Sequence, residues 1–535
     1  MDYQRLELPQ LLEMALQHHR SGEFADAEGL YRLMMSFAPD CFDAWHLLGV
    51  LARQTGRLNE AIELISRAVA LNDQEPAAFN NLGVAFQAAG LHGEAEIRYR
   101  QALALRTDYA DAHYNLGVVL AVTGRYAEAE LSYRKALEFK PDGVEACNNL
   151  AATLRELGRA EEAVELYRKA IGLRPSSDIY GNLAATLRVI GRVKEAEEAY
   201  QKAIALDPDF LDAQHNLSLV QLLQGDYDEG FARNEFRFAV GTGKRYQELV
   251  LSRFSAHSRW RGELLAGRRL MVVTEQGLGD NLMMMRYLPL LREQKVERLM
   301  VCCHRPSLRR IMQTIPGIDD VLLLEDVAQV EDNYLFCPIM SLPYLMGTCL
   351  DSIPQKIPYL TPPPEMRDSW RRRLDGMKGV KVGLAWAGCS LNQDDASRSI
   401  PLKFFAPLMT LEGIRFVSLQ QDEAALQLKG LGWEMVCWMD DCPDLLDTAA
   451  MVGELDLVIT VDTAMAHLAG ALGTPVWLLN RLSSEWRWMM GRDDSPWYPS
   501  MKIFRQPQRG DWDSVIQHVA GELRQVSSES LRGTK

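Results

Sequence analysis

The sequence predicts an α-solenoid followed by two α/β lobes, each built on a parallel sheet. Three observations lead to this prediction. A glycine recurs at intervals of 34 residues, with one step of 33, through the first 225 positions. From residue 269 onward, apolar runs of strand length alternate with helical segments, which is typical of a parallel sheet. A proline-rich stretch, 354–364, divides this alternating region in two.

The recurring glycines each follow one predicted helix and precede the next. An alanine stands five positions after each of the first six glycines, and a small residue stands seven positions before each glycine. Proline ends several of the second helices, because it has no N–H for a continuing helix. A helix pair of this period cannot bury its apolar face alone, so we assign residues 1–238 to about seven stacked copies. The glycines are Gly22, Gly56, Gly90, Gly124, Gly158, Gly191 and Gly225.

One polar position in the first helix of the pairs is not explained by packing. Asparagine occupies it in five copies, although asparagine is a poor residue for a helix interior. A side-chain amide both donates and accepts, so a row of amides could hold an extended peptide backbone without reading its sequence. The alternative is that each asparagine bonds a neighbouring copy and only stitches the stack together. The residues are Asn81, Asn115, Asn149, Asn182 and Asn216.

Composition excludes several classes of protein. A net charge of −14 argues against nucleic acid as the main partner, which a basic surface would bind. The nine cysteines form no C-x-x-C pair, which favours reduced thiols in the cytoplasm over a disulfide framework or a zinc site. The first residues do not read as a signal peptide, and no apolar run approaches the ~20 residues of a membrane helix. We therefore expect a cytoplasmic protein with no transmembrane segment.

The second half of the chain divides into a connecting segment, two lobes and a tail. Residues 239–268 connect the repeats to the first lobe, 269–375, whose strand candidates are 270–273, 299–303, 321–324 and 334–337. The second lobe, 376–525, has strand candidates at 380–386, 416–419, 457–461 and 476–479. Residues 526–535 are expected to form a disordered polar tail. Two such lobes in tandem place a cleft between the carboxyl ends of their strands.

Two motifs lie where strands of the two lobes end. In the first lobe, Gln276, Gly277 and Gly279 form a cleft loop that leads to Asp280. In the second, Asp462 begins the run D-T-A-M-A-H-L-A-G-A-L-G-T-P. A G-x-G turn alone is a weak signal, whereas the longer run is specific.

Both halves resemble known families. The repeat spacing resembles that of tetratricopeptide repeats. The asparagine ladder is similar to that of nucleocytoplasmic O-linked N-acetylglucosamine transferases, in which such asparagines hold the acceptor protein. The two lobe motifs resemble the heptosyltransferase-like family of glycosyltransferases, glycosyltransferase family 9, which has the GT-B fold. Residues 384–388, 398–401, 486–488 and 494–499 look like the bacterial branch of that family fused to tetratricopeptide repeats.

This resemblance covers nearly the whole chain and implies a fold, an activity and an acceptor. The fold is a tetratricopeptide superhelix followed by two Rossmann-like lobes, with the first lobe on the acceptor side and the second on the nucleotide-sugar side. The activity is transfer of a sugar to a protein. Some proteins of this layout modify flagellin, so flagellin is a candidate acceptor by analogy.

The resemblance also assigns roles to the polar residues of the cleft. Asp280 matches the carboxylate that acts as base in heptosyltransferases; its alternative role is to cap a helix over 281–292. Arg398 occupies the place of the family's phosphate-binding lysine, and its alternative is a solvated loop residue. GT-B enzymes generally stabilise the leaving phosphate with cations and helix N-termini, so we expect no metal and no cofactor besides the nucleotide-sugar co-substrate.

The remaining donor-side candidates surround these two residues. Asp462 would meet donor hydroxyls or, alternatively, cap the following helix, and Thr463 and Ala464 would turn backbone amides toward phosphate. Ala464 replaces the usual glycine of the family, so the donor's identity is not carried over. His467 would contact the donor or, alternatively, be a satisfied buried histidine. Gly388 completes the donor-side set. Trp386 and Trp486 could form a wall that stacks on the nucleotide base, but we expect both to pack in the core.

These observations favour a protein glycosyltransferase that transfers the sugar with inversion, using a carboxylate base. A repeat scaffold with an inactive transferase-like half is the first alternative. A nucleotide-sugar epimerase or hydrolase of the same fold is the second, and it would not need an asparagine ladder. A nicotinamide dehydrogenase is disfavoured, because the third glycine of its fingerprint and the later acidic residue are missing.

Overall fold

The structure is a computed structural model of the 535-residue chain and describes residues 7–331, 333–389 and 395–533. The chain forms two compact units, Met1–Ile190 and Gly191–Lys535. Among the residues that the structure describes, none of the helices combines the length and the apolar character needed to cross a bilayer.

The first unit consists of helix pairs, as the glycine period predicts. Each recurring glycine has a φ between 77° and 87°, which side chains disfavour, and it turns the chain from one helix into the next. The helices are α1 Leu8–Arg20, α2 Phe24–Phe37, α3 Phe42–Gln54, α4 Leu58–Leu71, α5 Pro76–Ala88, α6 His92–Leu105, α7 Ala110–Val122, α8 Tyr126–Phe139, α9 Val144–Glu156, α10 Ala160–Leu173 and α11 Ser177–Val189.

The small residue of each first helix lets its partner helix approach. A Cβ added to Gly83 would lie 2.6 Å from the Tyr99 ring, and one added to Gly117 would lie 2.7 Å from the Tyr133 ring. Both tyrosines are buried. The paired spacing of a small residue and a tyrosine therefore has the packing role that the sequence predicts.

The helical pattern continues into the second unit. Its next helices are α12 Val193–Leu206, α13 Leu211–Gln224, α14 Tyr227–Asn234 and α15 Gly241–Leu249. Tyr227 stacks on Trp497 at 5.8 Å between ring centroids, and Phe231 meets Trp486 edge-on at 5.6 Å. The end of the repeats expected at residue 238 stays a prediction. The compact units divide earlier, after residue 190, because these aromatic contacts join the last helices to the sheets.

Two sheets, both entirely parallel in the described residues, form the rest of the second unit. The first has strand order β1-β5-β2-β3-β4 and the second β11-β10-β9-β6-β7-β8. The strands are β1 Ser258–Arg259, β2 Arg269–Val273, β3 Arg298–Cys303, β4 Asp320–Leu323, β5 Tyr334–Pro338, β6 Val380–Ala385, β7 Ile414–Ser418, β8 Met435–Cys437, β9 Leu457–Val461, β10 Val476–Asn480 and β11 Met501–Arg505. The eight strand candidates are confirmed; the short strands β1 and β8 and the edge strand β11 had no prediction.

Helices flank both sheets. They are α16 Leu278–Met284, α17 Leu288–Glu293, α18 Arg309–Met312, α19 Leu342–Leu345, α20 Pro364–Leu374, α21 Asp395–Arg398, α22 Ala406–Met409, α23 Asp422–Ala425, α24 Leu445–Val452, α25 Ala464–Leu472 and α26 Trp512–Gly533. The 3₁₀ segments are Glu235–Ala239, Leu251–Phe254, Met285–Tyr287, Pro306–Leu308, Leu324–Gln329, Ile339–Ser341, Leu350–Ser352, Leu402–Phe405, Leu426–Leu428, Met439–Asp441 and Trp486–Trp488.

Two expectations about helices are wrong. The helix expected over 281–292 begins at Leu278 and is interrupted by the 3₁₀ segment Met285–Tyr287. The tail expected to be disordered continues α26 as far as Gly533, because Val519 and Leu523 pack into the core of the second sheet and extend the helix toward 526. Residues 534 and 535 lie outside the described residues.

A buried guanidinium joins the two lobes. Arg286 follows α16 and donates to the carbonyl oxygens of Pro354, in the interlobe stretch, and of Trp497, in the second lobe, at 3.3 and 2.7 Å. Its guanidinium also lies 4.8 Å from the centre of the Tyr498 ring. The lobes therefore meet through a fully engaged cation, which fixes the cleft between them.

Candidate functional site

The topology of the second sheet identifies where a ligand would bind. Read from β8 to β11, the strands follow the order 3-2-1-4-5-6. The strand order therefore reverses between β6 and β9, because strands before this point are added on one side and later strands on the other. Ligands of open parallel sheets bind beyond the carboxyl ends of the strands at this reversal. Gly388 follows β6, and Asp462 and Thr463 follow β9, so the residues predicted for the donor side share this position.

The strand order of the first sheet reverses between β2 and β5. The loop after β2 carries the G-x-G motif that leads to Asp280. Gln276 adopts a left-handed conformation, with a φ of 57°, which is unusual for a residue other than glycine. Asn281 fixes this strained turn: its amide donates to the carbonyl oxygens of Glu275 and Gly277 at 2.7 Å, and its Oδ1 accepts from the Glu275 amide at 3.1 Å. Asn281 is fully buried and was not predicted as a site residue.

Asp280 lies in the first turn of α16 rather than at its cap, because Gly277 is the cap residue. Its Oδ2 accepts from the Gly277 amide at 3.1 Å. Its Oδ1 pairs with Nη2 of Arg487, which belongs to the second lobe. The capping alternative is therefore wrong in position, although the carboxylate does bond the start of the helix. Its role as base stays a prediction.

Gly279 lets the two lobes touch. A Cβ added there would lie 2.6 Å from the His467 ring and 3.5 Å from the Ala464 Cα. The helix start that carries Asp280 therefore packs directly on α25, and the second glycine of the G-x-G turn has a packing reason. Ala464 is the first residue of α25 and faces this glycine.

Asp462 is buried at the end of β9, and it does not cap α25. Thr463 is the cap residue, and its Oγ1 accepts from the Met465 amide at 3.3 Å, so the capping alternative for Asp462 is wrong. Burial raises the pKa of the Asp462 carboxyl, and the Glu485 carboxylate raises it further. The charges of Arg487 and Arg398 oppose this rise. Asp462 is thus surrounded by the charged groups of the cleft.

His467 is a satisfied buried histidine. Its Nδ1 bonds the Tyr498 hydroxyl at 3.0 Å, and its ring stacks on Trp488 with 5.0 Å between centroids. Burial lowers its pKa well below the ordinary value, and the nearby charge of Arg487 adds to the effect. A neutral imidazole in this position supports the wall of the cleft, which agrees with the alternative role considered from the sequence.

Arg398 lies against the loop after β6. A Cβ added to Gly388 would lie 2.7 Å from Nη2 of Arg398, so only glycine leaves room for the guanidinium. The Gly388 amide donates to the Ser399 hydroxyl at 2.9 Å. Nε of Arg398 donates to Asp395 at 3.3 Å, so this arginine is not a solvated loop residue. Phosphate binding by Arg398 stays a prediction.

Arg487 is a central cleft residue to which the sequence analysis gave no role. Its guanidinium lies 4.6 Å from the centre of the Trp486 ring, and its Nη1 lies 3.6 Å from Glu485. The side chain is 13% exposed. An arginine between two tryptophans was the available signal, but its partner Asp280 is 207 positions away in the sequence. The tryptophans themselves are core residues, as expected: Trp386 is fully buried and Trp486 is 4% exposed.

The cleft is rich in cations but has no ready-made metal site. Within residues 7–331, 333–389 and 395–533, one group of three side chains has the spacing of metal ligands, and it lies in the first unit. That group consists of the exposed Glu23 and Asp26 together with His18. The arginines at the carboxyl ends of the second sheet are instead suited to a phosphate anion.

The asparagine ladder bonds neighbouring copies. Nδ2 of Asn115 donates to Oδ1 of Asn80 at 3.0 Å, and Nδ2 of Asn182 donates to Oδ1 of Asn148 at 3.1 Å. The first rung is similar, with Asn81 bonded to His46. The stitching alternative is therefore present in the structure.

The side-chain carbonyl oxygens of the ladder differ in their partners. Nδ2 of Asn149 donates to the Tyr114 hydroxyl at 3.2 Å, and its Oδ1 accepts from Asn148. In the part of the chain that the structure describes, no hydrogen bond reaches Oδ1 of the three rungs Asn81, Asn115 and Asn182. Asn216 lies half-buried on α13 in the second unit. Peptide binding by the ladder stays a prediction.

Comparison with known protein families decides the nature of the helix pairs. Models described as tetratricopeptide repeat match residues 40–108, 80–144, 144–177 and 177–210. The helix pairs within residues 40–210 are tetratricopeptide repeats. Solved structures similar to the tetratricopeptide region include MamA, with 28% identity, a TM-score of 0.28, and coverage of 30% of this chain and 93% of that chain. Another is YrrB, described as a TPR protein with an unusual peptide-binding site, with 21% identity, a TM-score of 0.31, and coverage of 35% and 96%.

A curated relative matches more than the repeats. Protein FlbA of Caulobacter vibrioides is 30% identical over 385 residues, which cover 60% of this chain and 62% of FlbA. The chain thus spans less than two thirds of FlbA. Because 60% of the chain is longer than the 238 residues expected for the repeats, the similarity extends into the half that carries the sheets.

Proposed function

We propose that this protein is a glycosyltransferase of GT-B fold that moves a sugar from a nucleotide-sugar donor to a protein held by the tetratricopeptide repeats. One observation carries the proposal: Asp280, at the reversal point of the first sheet, meets Arg487 and the charged cluster at the reversal point of the second. A carboxylate on one side and phosphate-binding cations on the other are the groups that this transfer requires.

The chemistry assigned to Asp280 is that of a general base. An acceptor hydroxyl gives its proton to the carboxylate while its oxygen bonds to the anomeric carbon of the sugar. The bond from that carbon to the phosphate oxygen breaks, and the nucleotide leaves with the electron pair. Attack opposite the leaving group inverts the anomeric configuration.

We assign binding of the leaving phosphate to residues near the carboxyl ends of the second sheet. Arg398 and Arg487 supply guanidinium groups, which match phosphate geometry with two parallel hydrogen bonds. The backbone amides at the start of α25 add the partial positive charge of a helix N-terminus beside Thr463. These groups neutralise the phosphate without a metal ion, so we propose none.

We assign binding of the acceptor protein to the asparagine ladder. The carbonyl oxygens of Asn81, Asn115 and Asn182 have no partner among the described residues and could accept from the N–H groups of an extended peptide. Flagellin is the acceptor to test first, on the analogy with other proteins of this layout. We also propose a cytoplasmic location, which the nine free thiols support.

A scaffold with an inactive second half is the competing function, and one observation favours it. Arg398 pairs with Asp395 and Arg487 pairs with Asp280, so the cleft neutralises its own charges. A site that binds no nucleotide would have this arrangement as well. The two functions differ in whether a nucleotide stabilises the protein.

Thermal unfolding with a panel of nucleotides and nucleotide sugars separates the two functions. A ligand at 100 times its dissociation constant adds about 2.7 kcal/mol to the free energy of unfolding. We expect one nucleotide family to raise the unfolding temperature, and Arg398→Ala to reduce this rise. Arg310→Ala is the matched control, because Arg310 also pairs with carboxylates of the second lobe but lies on α18. If no nucleotide stabilises the well-folded wild type at millimolar concentration, the scaffold function is correct.

A further inference from the structure

Arg398, Arg481 and Arg487 have carboxylate partners, and one of these pairs differs from the others. Arg398 pairs with Asp395, and Arg481 lies 3.0 Å from Glu485, so in both cases the partner belongs to the same lobe. Arg487 pairs with Asp280, which lies on α16 of the other lobe and is the proposed base. This pair joins the phosphate side of the cleft to the acceptor side.

The pair leaves Asp280 poorly prepared to act as a base. Its Oδ2 accepts from the Gly277 amide and its Oδ1 is occupied by Arg487. A general base needs an oxygen that meets the acceptor hydroxyl at hydrogen-bond distance. The Arg487 guanidinium and the acceptor hydroxyl therefore compete for Oδ1 of Asp280, and release of Arg487 opens this oxygen to the acceptor.

Arg487 has the capacity to change partners. Its Nε is buried and has no hydrogen-bond partner among the described residues, and its Nη1 is 3.6 Å from Glu485, too far for a good hydrogen bond. The Trp486 ring, 4.6 Å from the guanidinium, supports the side chain next to the cleft. A phosphate group would offer this fork two acceptor oxygens at once, which a single carboxylate oxygen does not.

We propose that Arg487 is a donor-controlled switch: the phosphate of the donor takes its guanidinium from Asp280, and only then is Asp280 free to act as base. This inference rests on the proposed function. It makes binding ordered, because an acceptor that arrives before the donor meets a neutralised carboxylate. Arg487 touches the donor phosphate in one state and the base in the other.

A double-mutant cycle tests the competition. Binding of two probes, inorganic pyrophosphate and the best nucleotide of the panel, is measured by calorimetry for the wild type, Asp280→Asn, Arg487→Gln and the double variant. We expect Asp280→Asn to tighten binding of the probes about tenfold, because the Arg487 guanidinium then gives up no charged partner when it binds phosphate. In the Arg487→Gln background the same change should alter binding by less than about twofold, since only the general loss of negative charge remains.

Two further variants control for the loss of an interlobe ion pair and for a failure to fold. Asp447→Asn breaks another ion pair between the lobes, in which Arg310 lies 2.8 Å from Asp447, and it should leave probe binding unchanged. Arg487→Lys keeps the charge but loses the planar fork, so it replaces Arg487→Gln if that protein does not fold. Asp280→Asn should then tighten binding less in the lysine background than in the wild type.

The outcomes separate this inference from the function on which it rests. If Asp280→Asn weakens binding, leaves it unchanged, or tightens it equally in both backgrounds, Arg487 does not exchange partners, and the transferase proposal still stands. If neither probe binds any of the proteins, both proposals are wrong.

Discussion

The lack of space around Gly388 allows a test of the proposed donor site by adding a single methyl group. An added Cβ would lie 2.4 Å from Oδ1 of Asp395 and 2.7 Å from Nη2 of Arg398, so Gly388→Ala must displace the arginine. We expect nucleotide binding to weaken about tenfold, because small displacements of a positioning group cost this much or more. Gly521→Ala is the control: it lies in the same lobe, on α26, and its Cβ would meet no atom within 4 Å. Wild-type affinity in Gly388→Ala would show that Arg398 is not a phosphate ligand.

His467 makes stability depend on pH. Its pKa in the folded protein is lowered by burial, so the unfolded chain, with an ordinary pKa near 6.5, binds the proton more readily. Stability is then complete above about pH 6.5 and falls as the pH drops, by up to about 1.4 kcal/mol per pH unit for one histidine.

We expect His467→Gln to reduce this dependence, measured as urea unfolding between pH 7 and pH 5. His518→Gln, which changes a histidine with a 64% exposed side chain, should have no such effect. An unchanged slope in His467→Gln would mean that the imidazole is already charged in the folded protein.

The helix pairs can be tested with two glycines three positions apart. Gly90 turns the chain at a φ of 77°, whereas Gly93 lies inside α6, and an added Cβ would meet nothing within 4 Å at either position. Gly90→Ala should therefore cost about 1–2 kcal/mol through backbone strain alone. Gly93→Ala should add about 0.5–1 kcal/mol by restricting the unfolded chain. Denaturant unfolding of the two variants should shift in opposite directions, and a shift in the same direction would contradict the turn assignment.

The asparagine ladder separates stitching from peptide binding. Asn115→Ala removes one hydrogen bond to Asn80 and should cost about 0.5–1.5 kcal/mol of stability in either case. If the free carbonyl oxygen holds an acceptor, the affinity for flagellin, measured by fluorescence anisotropy, should also fall about fivefold. A loss of stability with unchanged affinity would leave only the stitching role. Asn72→Ala, outside the ladder, controls for the loss of an amide.

An element could be predicted from the sequence when the residues that define it lie close together along the chain. The helix pairs, the glycine turns and the small-residue slots depend on neighbours within about one repeat, so the period alone predicts them. The start of α16 at Leu278 was missed because the cap residue is Gly277, whose lack of a side chain gives no capping signal. The ladder was found from its spacing. Its partners Asn80, Tyr114 and Asn148 also recur every 34 residues, but the residue type at this position changes from copy to copy, so the bonds were not predicted.

At the scale of the whole molecule, the position of the unit boundary can be tested by truncation. Arg237 is buried and donates two hydrogen bonds to Glu275, which is 1% exposed, at 3.1 and 2.9 Å. A fragment 239–535 would leave Glu275 buried without its cation, at a cost of about 3–5 kcal/mol, and would expose Trp497. This cost is comparable to the stability of a small domain.

We therefore expect fragment 191–535 to unfold cooperatively on heating and fragment 239–535 to be insoluble or to lack a cooperative transition. Calorimetry of the two fragments decides between the boundaries. If they unfold at the same temperature, residues 191–238 are not part of the compact unit.

The cleft was only partly predictable for the same reason of scale. Arg398 and Asp462 follow strands of the same sheet, and parallel strands bring their carboxyl ends to one edge, so the proximity of these two residues follows from local patterns. The pairing of Asp280 with Arg487 depends on how the two sheets face each other, and the two residues are 207 positions apart in the sequence. No periodicity records such a contact, and it became visible only with the arrangement of the lobes.

The attachment of α13 and α14 to the second unit has a consequence for how such proteins can diverge. Whole helix pairs before residue 190 can be gained, lost or exchanged, because each depends on its neighbours alone. The last pair is different, because Tyr227 rests on Trp497 and Phe231 rests on Trp486, the residue before Arg487. Recombination between relatives should therefore preserve residues 191–535 as one inherited block, and chimeras that exchange acceptor specificity should be joined at residue 190.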